Sequence, residues 1–315
     1  MQINGVFNVL KPTGTTSFDI CSYIRRLVGE KKVGHCGTLD PAASGVLPVC
    51  VGSAVGLSEY LSSSDKSYRA EILFGVKTDS IDLDGNVIRA QRVGAPDRQT
   101  LENVLSSFIG KQYQTPPMFS AIKKGGKRLY ELARKGVEID REPREIIIFE
   151  IKLVRLIGAR AIIDVNCSKG TYIRSLCEDV GKKLSIDACM SFLIRTCTAG
   201  LRIENSFIPE RLELLKSSGR LEEALLPIES LLPDLPDCAL SNAQLKKFIN
   251  GVDINVDEIE YIQPIGECKE NCLIRVFAFT SDKECVFYAL GKVLADNGCY
   301  KLRIKKLFRK GERST

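Results

Sequence analysis

Apolar residues along this chain recur at two spacings, and the alternation between them outlines its elements. Gly5 to Leu10 is a short apolar run that stops at Lys11-Pro12, which reads as a strand. Thr16 or Ser17 can cap a helix whose Ile20, Tyr23, Ile24, Leu27 and Val28 share one face, and Gly29 can end it. Val46 to Val51 is a continuous apolar run of the kind buried on both faces. Residues 67–74 alternate, with Tyr68, Ala70, Ile72 and Phe74 on one side. Thr100 to Ile109 returns to helical spacing, with Leu101, Val104, Leu105 and Phe108 inward. Lys127 to Lys135 reads as a short basic helix stopped by Gly136. Arg144–Leu153 and Ala159–Cys167 are rich in isoleucine and valine and read as strands. Gly170-Thr171 opens a helix through Leu184, so Arg174 falls in its first turn, where the helix dipole disfavours a cation. An arginine placed there is easier to understand if a carboxylate holds it.

Residues 225–238 carry three prolines and read as a linker. A helix capped at Ser241 and ending near Asn250-Gly251 follows, then strand-like runs at 272–280, 285–294 and 299–308. The order of elements implies an α+β chain with a large unit over 1–235 and a small β-rich one over 236–315.

Composition narrows the class. A chain of 315 residues, 44% hydrophobic and 27% charged, suits a soluble globular protein with room for two cores. No apolar run reaches the ~18–20 residues of a membrane span. The N-terminus lacks a basic stretch leading into an apolar core, so the expected location is the cytoplasm. Twelve cysteines are scattered without a C-x-x-C pair, Cys268 and Cys272 being the closest two, and a single histidine cannot complete a zinc site. They read as reduced residues of a cytosolic protein. Asp79, Asp82 and Asp84 before Gly85 lack the twelfth-position glutamate of a calcium loop and read as an acidic turn. Net charge is +6, and from Lys301 onward seven basic residues face Glu312 alone. A second cluster sets Lys123, Lys124, Lys127, Arg128, Arg134 and Lys135 against Glu131. Two such clusters suggest a phosphate-backbone partner.

Candidate chemistry concentrates at Gly34-His35-Cys36-Gly37-Thr38-Leu39-Asp40-Pro41-Ala42-Ala43-Ser44-Gly45-Val46-Leu47. Three glycines, a proline and small residues surround one carboxylate, which suits a rigid loop aiming Asp40 into a cleft. This stretch resembles the signature of the TruB-type tRNA pseudouridine synthases. Further blocks resemble that family in the same order: Lys11-Pro12-x-Gly14-x-Thr16-Ser17, Asp65-Lys66-x-Tyr68-x-Ala70, Thr78-Asp79-x-x-Asp82-x-Asp84-Gly85, Pro116-Pro117-x-x-Ser120-Ala121-x-Lys123 and Ser168 to Leu176. Cys36 and Phe119 stand where the family commonly has threonine or alanine, and tyrosine, respectively.

The resemblance implies a catalytic domain built on a mixed, mainly antiparallel sheet with flanking helices. It also implies an RNA-clasping insertion near 111–143 and a C-terminal PUA-like RNA-binding domain. The implied reaction converts uridine 55 of the tRNA T-loop to pseudouridine after base flipping. The C1′–N1 bond breaks, the base turns and a C1′–C5 bond forms, with no electrons gained or lost, so no cofactor or metal is expected. Asp40 is the implied catalytic carboxylate, acting on C1′ or on the C2′ proton. Arg174 is its implied partner, expected to lower its pKa by about 1–3 units. Tyr68 would stack on the base and help collect the C5 proton. His35 would support the splayed T-loop, Lys11 and Tyr172 would line the site, and Lys123, Lys127 and Arg128 would hold RNA. The protein is expected to act as a monomer on the tRNA T-stem-loop, with no membrane and no protein partner. Two other readings compete with this one. One is an RNA scaffold without chemistry, against which intact Asp40, Tyr68 and Arg174 speak. The other is an N-glycoside hydrolase, which should carry a second carboxylate about 5–9.5 Å from Asp40, and no motif pairs one with it.

Overall fold

The computed structural model describes residues 3–120, 122–133, 135–259, 261–263, 270–279, 284–296 and 298–309. Strand β1 (Gly5–Lys11) leads into helix α1 (Ser17–Val28). That helix starts on a reciprocal cap between Thr16 and Asp19 and ends at Gly29 in the left-handed conformation (φ +70°). Strands β2 (Val33–His35) and β3 (Ser44–Val51), helix α2 (Ser58–Ser62) and strands β4 (Lys66–Phe74), β5 (Val76–Thr78) and β6 (Val87–Ala90) follow. Next come α3 (Arg98–Ser106), β7 (Gly110–Gln114), β8 (Lys123–Lys124), β9 (Lys127–Arg128), α4 (Leu129–Ala133), β10 (Arg144–Ile157) and β11 (Arg160–Cys167). Then α5 (Ile173–Lys183), β12 (Ala188–Thr198), β13 (Leu201–Arg202), α6 (Pro209–Ser217) and β14 (Leu225–Leu226) complete the first part.

Among the described residues these strands form one large sheet in the order β14-β1-β3-β12-β4-β11-β10-β7, with β2 on β3 and β13 on β12. Its pairings are antiparallel except β3 with β12, which run parallel over Ser44–Gly45 and Ile194–Arg195. The alternation along β4 sends Tyr68, Ala70, Ile72 and Phe74 into a core closed by Leu101 and Leu105 of α3 and Ile173, Leu176 and Val180 of α5. Helix α1 packs Ile20, Ile24 and Leu27 on the opposite face, against Phe7, Leu47 and Val49. The parallel pair at the centre brings the start of β3, and the loop before it, against β12.

The second part contains β15 (Asp237–Leu240), α7 (Asn242–Ile249), β16 (Ile254–Asn255), β17 (Tyr261–Gln263), β18 (Leu273–Phe279), β19 (Cys285–Asp296) and β20 (Cys299–Leu307). These strands form a separate sheet ordered β16-β20-β19-β18-β15-β17. Its core gathers Leu240, Phe248, Val276, Val293 and Leu302.

Two expectations are corrected. Residues 225–238 are not a free linker: β14 pairs with β1, and Ile228, Leu231 and Leu232 are buried. Leu231 and Leu232 share an apolar cluster with Val6, Val46 and Leu57 of the first part and Phe287, Leu290 and Phe308 of the second. The prolines therefore shape a packed connection. Residues 127–135 begin with β9, in a two-stranded ribbon with β8, and only then turn into the single helical turn α4. The ribbon fits the glycine pair Gly125-Gly126, both at positive φ, between its strands. The expected strand at 299–308 is β20, and its Lys301 and Arg303 are tied to Asp296 and Asp253.

Candidate active site

The loop around Asp40 is held from several sides before any substrate arrives. Ser17 at the head of α1 is buried, and its hydroxyl both donates to the Leu39 carbonyl (3.1 Å) and accepts from the Leu39 amide (2.9 Å). The Gly14 amide donates to Pro41 O (2.9 Å), and the Ala43 amide closes a turn on Asp40 O (3.1 Å). Gly37 (φ +89°) and Gly45 (φ +112°) flank the loop. A side chain at Gly45 would put its Cβ 2.2 Å from the Arg195 carbonyl oxygen, so only glycine lets β3 meet β12 there. Leu39 and Ala43 anchor the loop in the same core as Tyr68. Asp40 between them keeps 38% of its side chain open.

Arg174 is 5% exposed and saturated with partners. Its Nη2 meets Asp40 Oδ2 at 2.9 Å and donates to Phe119 O at 2.8 Å. Its Nη1 donates to Ser80 O at 3.2 Å and faces Asp82 Oδ2 at 3.4 Å. Sequence reasoning found the Asp40–Arg174 pair but assigned Asp82 only to an acidic turn. The structure corrects this: Asp82 is buried, accepts from the Ser80 hydroxyl, and shares the guanidinium with Asp40. The turn is fixed by Thr78 Oγ1 donating to Asp82 O (2.7 Å) and by the Met190 amide on Ile81 O (3.0 Å). Ile81 itself sits at φ +66°, unusual for a β-branched residue. The signal for Asp82 lay in the Thr78–Gly85 block, which had no chemistry attached to it.

Sharing Arg174 changes the electrostatics. Burial pushes the Asp40 carboxyl above its ordinary range, Arg174 pulls it back, and Asp82 and Asp84 push it up again. Arg174 does lower the Asp40 pKa, as expected, but burial outweighs it and Asp82 and Asp84 add to the rise, so the net direction is upward. The hydrolase reading does not recover from the presence of Asp82, whose side chain is 9% exposed and turned onto Ser80 and Arg174.

Tyr68 is buried beside the loop, and burial raises its phenol against the pull of Arg195. Arg195 lies directly across from Tyr68 in the β12–β4 pairing and is wholly buried. Nothing in its sequence context, an arginine in an apolar strand, set it apart from a surface residue. Lys11 is also wholly buried: its ammonium donates to Pro12 O (2.9 Å), Thr15 O (2.6 Å) and Pro41 O (3.3 Å). It props the loop from beneath and does not line an open surface. Burial lowers its pKa to about 8. Lys66 is held likewise by Ser62 O (3.0 Å) and Ser64 O (2.5 Å), and burial brings it to about 8 as well.

His35 is half-buried on β2 with Nδ1 enclosed and unpartnered among the described residues, and burial lowers its pKa. Tyr172 caps α5, exchanging backbone bonds with the Gln114 side chain (2.7 and 3.0 Å), and burial raises its phenol. Lys123, Lys127 and Arg128 lie on the β8–β9 ribbon, but their side chains are outside the described residues. No cluster with metal-ligand character occurs among the described residues. The cysteines there are free thiols, with Cys36 and Cys50 Sγ 3.2 Å apart, while Cys268 lies outside them.

Comparison with known proteins bears on this arrangement. The sequence profile described as TruB family pseudouridylate synthase (N terminal domain) matches residues 25–173. A protein of Alkaliphilus oremlandii named tRNA pseudouridine synthase B is 43% identical over 269 residues, covering 84% of this chain and 88% of its own length. Its namesake from Caldanaerobacter subterraneus subsp. tengcongensis is 39% identical over 98% of this chain and 100% of its own length. Among solved structures, a chain from a Cbf5-Nop10-Gar1 complex superposes with a TM-score of 0.73 at 25% identity, over 97% of this chain and 85% of that one.

Proposed function

The chain belongs to the TruB family of pseudouridylate synthases and is an RNA pseudouridine synthase, and from that premise we propose that its substrate is uridine 55 in the T-loop of tRNA. The observation that carries the reading is the Asp40 carboxylate 2.9 Å from Arg174, on a loop with glycine-permitted ends beside Tyr68. The relatives' name, tRNA pseudouridine synthase B, supports the substrate class.

The reaction rearranges one nucleotide. The uridine leaves its stack, at a cost of a few kcal/mol, to reach a residue inside a cleft. As C1′–N1 breaks, positive charge develops at C1′, and an ionised Asp40 beside that carbon stabilises it. The carboxylate has two routes, attack on C1′ or removal of the C2′ proton. Arg174, anchored by Ser80 O, Phe119 O and Asp82, fixes where Asp40 points. The freed uracil turns, C5 joins C1′, and the C5 proton leaves with Tyr68 as stacking platform and proton relay while N1 takes up a proton in its place. Lys11 acts through the loop that it props. His35 and Tyr172 border the base, and the β8–β9 ribbon with Lys123, Lys127 and Arg128 grips RNA within the insertion 111–143. The chemistry conserves electrons and asks nothing of a cofactor.

Residues 236–315 are assigned as a PUA-like RNA-binding unit beside the catalytic residues 1–235, on the support of the separate second sheet. The protein works in the cytoplasm as a monomer without a protein partner. The deciding experiment incubates the full chain with an unmodified tRNA transcript and a transcript carrying cytidine at position 55. Nucleoside mass spectrometry should find one pseudouridine per molecule in the first and none in the second. No pseudouridine in either would refute the substrate.

A further inference from the structure

A wholly buried arginine without a carboxylate is an expensive way to fill a core, because desolvating a cation costs several kcal/mol. Arg195 is such a residue: it is 0% exposed and enters no ion pair among the described residues. Its donors go to main-chain oxygens at the two ends of the Asp40 loop. Nη2 donates to Gly37 O at 2.9 Å, three residues before Asp40, and Nε to Val46 O at 2.8 Å, six residues after it. In the sheet Arg195 lies opposite Gly45 of β3 on one side and Tyr68 of β4 on the other. Directly opposed residues carry their side chains on the same face of a sheet, so the guanidinium and the phenol are neighbours.

We infer that Arg195 is a positioning residue of the isomerisation, tying both ends of the Asp40 loop to the central strand and holding the Tyr68 phenol at a fixed spacing from Asp40. The inference rests on the RNA synthase reading with Asp40 and Tyr68 as the reacting groups. A planar guanidinium suits this task because its Nε and Nη2 donors leave from separate points at fixed angles, whereas an ammonium gathers its donors at one point on a flexible stem. Its charge serves the phenol as well. Tyr68 faces Arg195, Cys167 and Asp40, and Arg195 is the cation that opposes the upward push of burial on the phenol. Lys11, His35 and Lys66 face Arg195 from β1, β2 and β4, each loosened in its hold on a proton by burial and by that charge.

The test uses the full chain as parent, Arg195→Lys and Arg195→Gln. Thermal unfolding, binding of a tRNA transcript and single-turnover pseudouridine formation at saturating enzyme are followed over roughly pH 6 to 9. Arg195→Lys should unfold cooperatively and bind the transcript within about threefold of the parent. Its single-turnover rate should fall roughly a hundredfold, the order that a 1 Å misplacement costs. In Arg195→Gln, which lacks the charge, the pH–rate profile should in addition shift to higher pH relative to Arg195→Lys. A merely structural residue would not move that profile. A rate for Arg195→Lys within about threefold of the parent, or coincident profiles for both variants, would overturn the inference. Loss of cooperative unfolding in both variants would also overturn it, by making Arg195 a strut of the fold alone. A parent that is itself inactive on tRNA would instead refute the substrate reading beneath it.

Discussion

At the scale of single residues, the candidate site sets burial against Arg174 at one carboxylate, Asp40, and holds it in place. Asp40→Asn should remove turnover and leave tRNA affinity within about tenfold, or ~1.4 kcal/mol, because binding draws on a wide surface and chemistry on one group. Pseudouridine formation above a trace would show that another residue does the work. The pH dependence follows from the raised carboxyl. A group whose folded pKa lies above its unfolded value holds its proton more tightly in the fold, so the ionised form costs stability above the unfolded value. That cost disappears as pH falls through the folded pKa. Single-turnover rates of the parent should therefore fall on the acid side at a pH above the ordinary carboxylate range. Asp40→Asn should unfold at a higher temperature than the parent near neutral pH, with the advantage vanishing in acid. An acid limb at or below the ordinary range, or an Asp40→Asn protein less stable at neutral pH, would mean that Arg174 outweighs burial. Arg174→Lys should cost far more than charge conservation suggests, roughly a hundredfold in rate, because one ammonium cannot face Asp40, Asp82 and two carbonyls together. A near-parental single-turnover rate in that variant would remove Arg174 from the site.

At the scale of elements, the loop and its flanking strands matter more than the helices. Gly45→Ala forces a Cβ to within 2.2 Å of a backbone oxygen at a positive φ, where β3 pairs in parallel with β12. Neither strand can give way cheaply, so the change should cost more than about 3 kcal/mol. Thr16→Ala removes only the reciprocal cap of α1 and should cost about 1 kcal/mol with an unchanged rate. Denaturant titration of the two variants checks both figures, and a Gly45→Ala cost no larger than that of Thr16→Ala would mean that β3 can slide on β12. These elements also show what was legible in the sequence. Period and capping found α1, β4 and α5, because their side chains sort cleanly by face. The Asp40 loop was legible through its glycines and its motif. Lys11 was not, since a lysine carries no mark that says its ammonium is spent on three carbonyls 1, 4 and 30 residues away. Arg195 and Asp82 were missed for the same reason: their roles depend on strands and turns distant in sequence that meet only in the fold. The helix read over 127–135 began too early because Lys127 and Arg128 are helix-compatible, while the two adjacent glycines at positive φ before them turn those residues into a strand of the ribbon.

At the scale of the whole molecule, the two sheets are joined by apolar contact and carry their charge differently from what the sequence suggests. Phe287, Leu290 and Phe308 of the second part share a cluster with Val6, Val46, Leu57 and Leu232. Deleting 236–315 would strip this cover from the back of β1 and β3, and β3 begins at the Asp40 loop. The truncated chain should unfold at a lower temperature and aggregate, so lost activity in it would not measure RNA binding. Point changes on β20 separate the two effects. Its Lys301 and Arg303 already answer Asp296 and Asp253, and the stem of Lys306 lies against Gly56. Lys305 is exposed on the same strand and enters no ion pair among the described residues, which leaves it the cation best placed for a phosphate. If the second unit grips tRNA through this strand, Lys305→Gln should lower the slope of log affinity against log salt by about 0.7–0.9, the share of one phosphate contact. The thermal midpoint and the single-turnover rate at saturating tRNA should stay at parental values. Filter binding over a series of salt concentrations gives the slope directly, and a slope equal to that of the parent would take Lys305 out of the RNA interface.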